Sequence, residues 1–249
     1  MAPGVPRAAR AGAATALGAA VGLVAGHAGP ALSAVSGNGL RRALLPRLAG
    51  AGRVDHVALT FDDGPDREST PAFLATLDDL GWRATFFMLG RMVDADPGLA
   101  REVADAGHEI ALHGYDHVSH LRRTPGRVGD DLRRGLDSVA GATGRRPVWF
   151  RPPYGHVSSG TVLAARRLGL RTVLWTAWGR DWTATATPAT VSRTVRRGLR
   201  PGGTVLLHDS DCTSARGAWH AGLGALPRLA ELVAAGGGLA VGPLADHAL

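Results

Sequence analysis

The sequence predicts an α/β fold in which a parallel sheet curls into a single distorted (β/α) barrel of about seven strands. From residue 54 onward, short runs rich in β-branched and aromatic residues alternate with helical stretches. Such regular alternation is typical of right-handed βαβ units. The segment 54–249 is short for a full eight-unit barrel, which favours a reduced one.

The predicted elements follow one another in strand–helix order. Strands are predicted for the apolar runs at 56–61, 84–89, 108–113, 148–151, 172–177 and 204–208, with a seventh at 238–241. Helices are predicted around 70–80, 97–106, 126–141, 158–168, 188–198 and 222–235. In such a fold the carboxyl ends of the strands meet at one edge, where barrel enzymes hold their active residues.

The distribution of charge argues against a nucleic-acid partner. The formal net charge is +7, and all 28 basic residues are arginine. Six of these arginines precede His56, against one acid, so most of the excess lies in the N-terminal segment. The rest is near neutral, with no basic stripe and no stacking-aromatic motif. Cys212 is the single cysteine, which excludes an internal disulfide.

The N-terminal segment differs in composition from the rest, and the chain divides into a leader at 1–53 and a domain at 54–249. Residues 11–40 contain no Asp, Glu, Lys or Arg, and Arg7 and Arg10 precede them. This pattern favours a signal peptide, with 31–33 as a cleavage site, or a weak membrane anchor. We therefore expect an exported or membrane-associated protein of the cell envelope. The positive flank at 41–47 leaves a cytoplasmic location as the alternative, and a loosely helical or disordered leader is another.

Polar residues follow five of the predicted strands, all at the same end. They are Asp62 and Asp63 after the first, His113 and His117 after the third, Arg151 after the fourth, Asp181 and Trp182 beyond the fifth, and His208 and Asp209 after the sixth. A single such residue has little meaning. Five sets at one edge of a parallel sheet indicate a functional site.

Two of these motifs have the composition of a metal site. His113 and His117 are four residues apart in "HGYDH", and two histidines with one carboxylate commonly bind a divalent ion. Alone, the histidines would more simply be capping or core residues, and "TFDDGP" an ordinary Asp turn. Two adjacent acids suit a metal hydrolase better, since one binds the metal while the other serves as general base. In "FRPPYG", Arg151 either pairs with a site carboxylate or precedes a rigid turn.

Taken in order, "TFDDGP", "HGYDH", "RPPYG", "RDW" and "LLHD" resemble the NodB-homology polysaccharide deacetylases, carbohydrate esterase family 4. The resemblance covers about residues 54 to 245 and implies a distorted barrel of the NodB-homology type. It implies a metal-dependent hydrolase that removes N-acetyl groups from the amino sugars of peptidoglycan, a chitin-like polymer or another envelope glycan, releasing acetate. The partner is then an acetylated glycan. The cofactor is one divalent ion, foremost Zn²⁺, with Co²⁺, Ni²⁺ or Mn²⁺ as alternatives.

The resemblance also assigns roles to individual residues. It implies Asp62 as catalytic base, Arg151 as its tether, His208 as general acid oriented by Asp181, Asp63, His113 and His117 as metal ligands, the backbone N–H of Tyr154 as an oxyanion donor, and Trp182 and Leu206 as the acetyl pocket. Two positions depart from the family pattern. Gly114 replaces a Ser or Thr whose hydroxyl braces the metal-binding loop, and Val118 replaces a Pro.

Other interpretations remain open on the sequence alone. The same metal site can serve another amide or an O-acetyl ester, because the motifs define only the reacting carbon. A carbohydrate-binding relic without catalysis is a different class. An iron oxygenase is disfavoured, because such sites usually occupy β-sandwich scaffolds. The stretch "HDSDC" is the least explained, and a metal-ligand role for its Cys212 is disfavoured since the ligand set is already complete.

Overall fold

The structure is a computed structural model that describes residues 38–249. Of the signal-like segment predicted at 11–40, residues 11–37 lie outside the described residues. Within 38–249, no helix combines the length and the apolar character that crossing a membrane requires. The division into a leader at 1–53 and a domain from 54 stays a prediction.

In the part of the chain that the structure describes, eight parallel strands form one sheet. They are β1 His56–Asp62, β2 Thr85–Met88, β3 Glu109–Leu112, β4 Trp149–Phe150, β5 Arg171–Thr172, β6 Ala177–Trp178, β7 Thr204–His208 and β8 Ala240–Gly242. Their order is β5-β4-β3-β2-β1-β7-β6, and β8 pairs with the beginning of β1. The predicted (β/α) arrangement is confirmed.

The sheet is curled because its two edge strands are joined by a short link. β5 lies at one edge and β6 at the other, yet only residues 173–176 connect them. Five Cα–Cα steps span at most about 18 Å, so the two edges must approach each other. The prediction of one strand over 172–177 was therefore wrong. The middle of this run crosses the open side of the barrel, where the Leu174 N–H donates to the carbonyl of Leu48.

The helices pack around the sheet. They are α1 Asn38–Leu44, α2 Pro46–Ala49, α3 Thr70–Asp79, α4 Gly90–Ala95, α5 Pro97–Asp105, α6 Pro125–Thr143, α7 Ser159–Arg167, α8 Pro188–Gly198, α9 Trp219–Leu223 and α10 Leu226–Ala235. The short α4 was not predicted. The predicted helix at 222–235 is two helices, with Gly224 between them and Pro227 in the first turn of the second.

Local sequence explains where several helices begin. Thr124 caps α6 by accepting a hydrogen bond from the Arg127 N–H, and Pro125 occupies the first helical position. Ser158 and Thr187 begin α7 and α8 with reciprocal capping boxes. These start signals are readable in the sequence, and they account for the agreement of the predicted starts of α6, α7 and α8 with the structure.

The first strand organises the interior. All seven of its residues are buried. Val57, Leu59 and Phe61 belong to the large apolar cluster that also contains helix residues. Ala58 belongs to a second, smaller cluster with Phe87 and Trp149. Since side chains alternate along a strand, Thr60 and Asp62 share the Ala58 side, which faces the barrel interior.

Residues 38–53 contact the barrel at its N-terminal end. Arg41 is buried, and its Nη2 donates to the carbonyl of Trp175 over 2.6 Å. The Thr204 hydroxyl, at the start of β7, donates to the carbonyl of Gly50. This end of the barrel is thereby covered, while the opposite end carries the polar strand-end residues.

Candidate active site

The predicted strand-end residues meet at one edge of the sheet. β1 and β7 are neighbours, and their register places Asp62 opposite His208. His113 follows β3 directly, and Arg151 follows β4 directly. Because these strands run parallel, all four residues lie at the same carboxyl edge.

Asp63, His113 and His117 form a three-residue cluster of potential metal ligands. Their candidate ligand atoms all lie within 4.8 Å of one another. Oδ1 of Asp63 lies 3.4 Å from Nε2 of His113 and 3.5 Å from Nε2 of His117. This oxygen is buried and accepts no hydrogen bond within the described residues. A buried carboxylate oxygen without a donor is costly, so these residues fit a divalent cation.

The two imidazoles have the protonation state that a metal ligand needs. Nδ1 of His113 lies 2.8 Å from the carbonyl oxygen of Arg151, which can only accept, so Nδ1 carries the hydrogen. Nε2 then presents its lone pair to the cluster. Burial lowers the pKa of His113 to about 3, despite the nearby charge of Asp63. Burial also lowers the pKa of His117, and neutral imidazoles are the metal-binding form.

The loop between the two histidines is held by Asp131 from α6. Its Oδ2 accepts the Tyr115 N–H over 3.1 Å, and its Oδ1 accepts the Asp116 N–H over 3.2 Å. Arg123 Nη1 also donates to Asp131 over 2.7 Å. Gly114 adopts a φ of 98°, and a Cβ there would lie 2.9 Å from Oδ2 of Asp131. Gly114 has no hydroxyl to brace this loop, and the carboxylate of Asp131 holds the same loop through its backbone N–H groups.

Asp62 has different neighbours from Asp63. Its Oδ1 lies 2.6 Å from Nη1 of Arg151, which is fully buried. The same guanidinium donates to the Thr60 hydroxyl and the Leu174 carbonyl, and stacks 4.0 Å above the Phe87 ring. Oδ2 of Asp62 lies 3.7 Å from Nε2 of His113. The two adjacent acids are therefore separated by environment, one facing an arginine and the other facing two histidines.

His208 is oriented by Asp181. Nδ1 of His208 lies 3.0 Å from Oδ1 of Asp181, and the His208 backbone N–H donates to Oδ2 over 2.7 Å. Burial by itself lowers the pKa of this imidazole. The charge and hydrogen bond of Asp181, with smaller contributions from Asp63 and Asp62, outweigh burial and raise the pKa to about 9. His208 is therefore protonated at neutral pH.

These groups open onto a cavity of about 240 Å³ with an apolar wall. The wall comprises Tyr154, Trp175, Trp178, Trp182 and Leu206. Tyr154 has a φ of 60°, and its ring lies 4.4 Å from the ring of His117. Trp182 contacts the ring of His208 edge-on at 5.4 Å. Every residue that the sequence assigned to the site belongs to this cavity or binds a residue that lines it.

Sequence reasoning missed several residues at the site. Among the tryptophans it assigned substrate contact only to Trp182, whereas Trp175 and Trp178 of the same "LWTAWGRDW" stretch also line the cavity. Asp131 was missed, although an acid on the apolar face of α6, beside Val128 and Leu132, was a readable signal. Thr213 was also missed, and no comparable pattern in the sequence pointed to it.

Cys212 lies beside the cluster without belonging to it. Its Sγ accepts from Arg91 Nη2 over 3.3 Å and donates to the backbone carbonyl of Asp63 over 3.5 Å. Burial raises the pKa of this thiol to about 11. The thiol is therefore protonated at neutral pH, and a metal-binding thiolate is not favoured.

Comparison with known proteins gives the family. A family model described as polysaccharide deacetylase matches residues 49–173. The chain belongs to the polysaccharide deacetylase family.

Two named relatives act on amino-sugar polymers or oligomers according to their names. The peptidoglycan-N-acetylglucosamine deacetylase PgdA of Listeria monocytogenes is 33% identical over 171 residues, covering 69% of this chain. This chain spans only 36% of the length of that protein. A chitooligosaccharide deacetylase of Bradyrhizobium sp. is 36% identical over 154 residues, covering 61% of this chain and 70% of the relative.

Solved structures share the fold. The family 4 carbohydrate esterase of Streptomyces lividans, solved with acetate, has a TM-score of 0.67 at 33% identity, covering 78% of this chain and 93% of that one. A carbohydrate esterase family 4 pseudoenzyme of Bacillus anthracis has a TM-score of 0.70 at 26% identity, covering 78% and 65%. Similarity of fold thus extends to a family 4 carbohydrate esterase and to a pseudoenzyme of that family.

Proposed function

We propose that this deacetylase-family protein is a metal-dependent hydrolase that removes N-acetyl groups from the amino sugars of an envelope polysaccharide. The observation that carries the proposal is the cluster of Asp63, His113 and His117 beside Asp62, which is paired with Arg151 and faces the same cavity as His208. The names of the relatives support the substrate class. Peptidoglycan is the foremost candidate among glycans.

Asp63, His113 and His117 would hold the ion. A divalent ion there, foremost Zn²⁺, would supply a Lewis acid that polarises the acetyl carbonyl and acidifies water. The buried, unpaired Oδ1 of Asp63 and the neutral imidazoles support this assignment.

The remaining residues divide the proton transfers. Asp62, held by Arg151, accepts a proton from the attacking water. The new C–O bond makes a tetrahedral carbon, whose oxyanion accepts a hydrogen bond from the Tyr154 N–H. His208 donates a proton to the nitrogen as the C–N bond breaks, which gives acetate and a free amine. Its raised pKa supports the acid role, since an amine is a poor leaving group until protonated.

The apolar wall suits the acetyl methyl group. Trp182 and Leu206 line the cavity beside His208, and we assign them to the methyl pocket. With the methyl group bound there, the carbonyl carbon would lie within the cavity that Asp62 and His208 also line. Because peptidoglycan lies outside the cytoplasmic membrane, we also propose an envelope location.

Acetate release tests the reaction. The protein is incubated with peptidoglycan, an N-acetylated chitooligosaccharide and an O-acetylated xylan, each with and without a chelator. We expect chelator-sensitive acetate release from an N-acetylated substrate, and strongly reduced release by Asp62→Asn. Release from the xylan alone would support an O-acetyl esterase instead.

A second candidate is a glycan-binding protein without catalysis. The structural similarity to a pseudoenzyme is the observation that favours it. Glycan binding by the Zn²⁺-loaded protein with no acetate release from any substrate would support this candidate and overturn the first.

A further inference from the structure

The segment that follows β7, "DSDCT" at 209–213, lies against the "TFDDGP" turn. Oδ1 of Asp209 accepts the Gly64 N–H over 3.2 Å, and the Ser69 hydroxyl donates to the Asp209 carbonyl over 2.5 Å. The Ser210 hydroxyl donates to Oδ2 of Asp66 over 2.9 Å. The stretch that the sequence left unexplained is thus a clamp on the turn that carries Asp62 and Asp63.

The last residue of this clamp contacts the cluster itself. The Thr213 hydroxyl donates to Oδ2 of Asp63 over 2.5 Å. The other oxygen of the same carboxylate, Oδ1, faces Nε2 of His113 and Nε2 of His117. The hydroxyl and the histidines therefore take different oxygens of Asp63.

We propose that Thr213 is a positioning residue that fixes Asp63 as a one-oxygen metal ligand. The inference rests on the metal site of the proposed function. A hydrogen bond to a charged carboxylate is stronger than one between neutral groups, so it restrains rotation of the carboxylate plane. With Oδ2 held by the hydroxyl, Oδ1 alone would be available to an ion bound by the two histidines. Without the hydroxyl, the two oxygens can exchange or turn toward the ion together.

Because of where Thr213 lies, an effect of its replacement on metal binding can be distinguished from an effect on folding. Thr213 is exposed at the cavity, whereas Asp63 is only 1% exposed. Replacing Thr213 therefore removes no core packing. A change in metal affinity then reports on the hydroxyl.

The test measures the Zn²⁺ dissociation constant of the metal-free full chain by competition with a chromophoric chelator. Thr213→Val keeps the shape and removes the hydroxyl, and we expect its affinity to fall by about 10- to 100-fold. Thr213→Ser restores the donor and should bind close to wild type. Ser214→Ala, at the neighbouring position, is the matched control and should bind Zn²⁺ as wild type does.

The Zn²⁺-binding test of Thr213 can fail or succeed independently of the acetate-release test of the proposed function. Thr213→Val with wild-type Zn²⁺ affinity overturns the inference, even if the wild type releases acetate. Weakened binding by Thr213→Val, rescued by Thr213→Ser, supports it even if no acetate is released from any glycan. Thermal unfolding of the metal-free variants, together with Thr213→Ala as a second hydroxyl deletion, checks that folding is intact.

Discussion

Arg151 and Asp62 form an ion pair inside the barrel, with Nη1 and Oδ1 separated by 2.6 Å and both side chains almost completely buried. The arginine comes from the end of β4 and the aspartate from the end of β1, two strands that are not neighbours. Phe87, on β2 between them, carries the guanidinium on its ring face. The pair therefore links strands across the barrel interior at the edge where the cavity lies.

Removing Arg151 should affect stability and turnover together. Arg151→Met leaves the Asp62 carboxylate buried without its partner, which typically costs about 3–5 kcal/mol of unfolding free energy. We expect a loss of that order in chemical denaturation, and acetate release near background. Arg171→Met is the matched control, because its exposed guanidinium lies over the Trp149 ring. An active, stable Arg151→Met protein would contradict the tether.

Asp62→Asn should separate metal binding from turnover. The substitution keeps the side chain in shape but removes the proton acceptor, so we expect kcat to fall by about 10²–10⁴. Bound Zn²⁺, measured by mass spectrometry of the metal, should stay at the wild-type level. Asp63→Ala should lose both metal and activity. Full activity in Asp62→Asn would exclude it as the base.

The alkaline limb of the pH profile should depend on Asp181. The acid form of His208 is needed, so activity falls as pH rises through its pKa, which Asp181 helps to raise to about 9. Asp181→Asn removes that charge and lowers the pKa, so kcat/KM should begin to fall at a lower pH than in wild type. Asp130→Asn, on the exposed face of α6, is the control. If the alkaline limb of Asp181→Asn coincided with that of wild type, the limb would report a group other than His208.

Restoring the residue typical of the family at position 114 should damage this chain. Gly114→Ser puts a Cβ 2.9 Å from Oδ2 of Asp131 and requires a φ of 98°. Strain of this kind costs about 1–3 kcal/mol, so the melting temperature and Zn²⁺ affinity should both fall. Gly129→Ser is the control, since a Cβ there meets nothing within 4 Å. Tighter Zn²⁺ binding by Gly114→Ser would show that the loop lacks a brace.

The order of elements was readable from local patterns. Apolar runs and capping residues act over a few positions, which is why β1, α6 and α8 lie close to their predicted ranges. The break between β5 and β6 at 173–176 could not be predicted from the sequence, because the backbone hydrogen bonds of this segment go to distant residues such as Leu48. A continuous apolar run therefore predicted one strand where the structure has two.

The sequence alone determined that polar residues follow five strands. It also determined that these residues lie at one edge of the sheet, because strands in βα order run parallel and their carboxyl ends therefore meet at the same edge. Only the tertiary structure decided which group faces which. It places Asp62 against Arg151 and Asp63 against two histidines, and it brings Asp131 to the histidine loop and Thr213 to Asp63. Thr213 lies 150 residues from Asp63 in the chain. Contacts at such separation depend on how the strands and loops pack, and no local pattern encodes them.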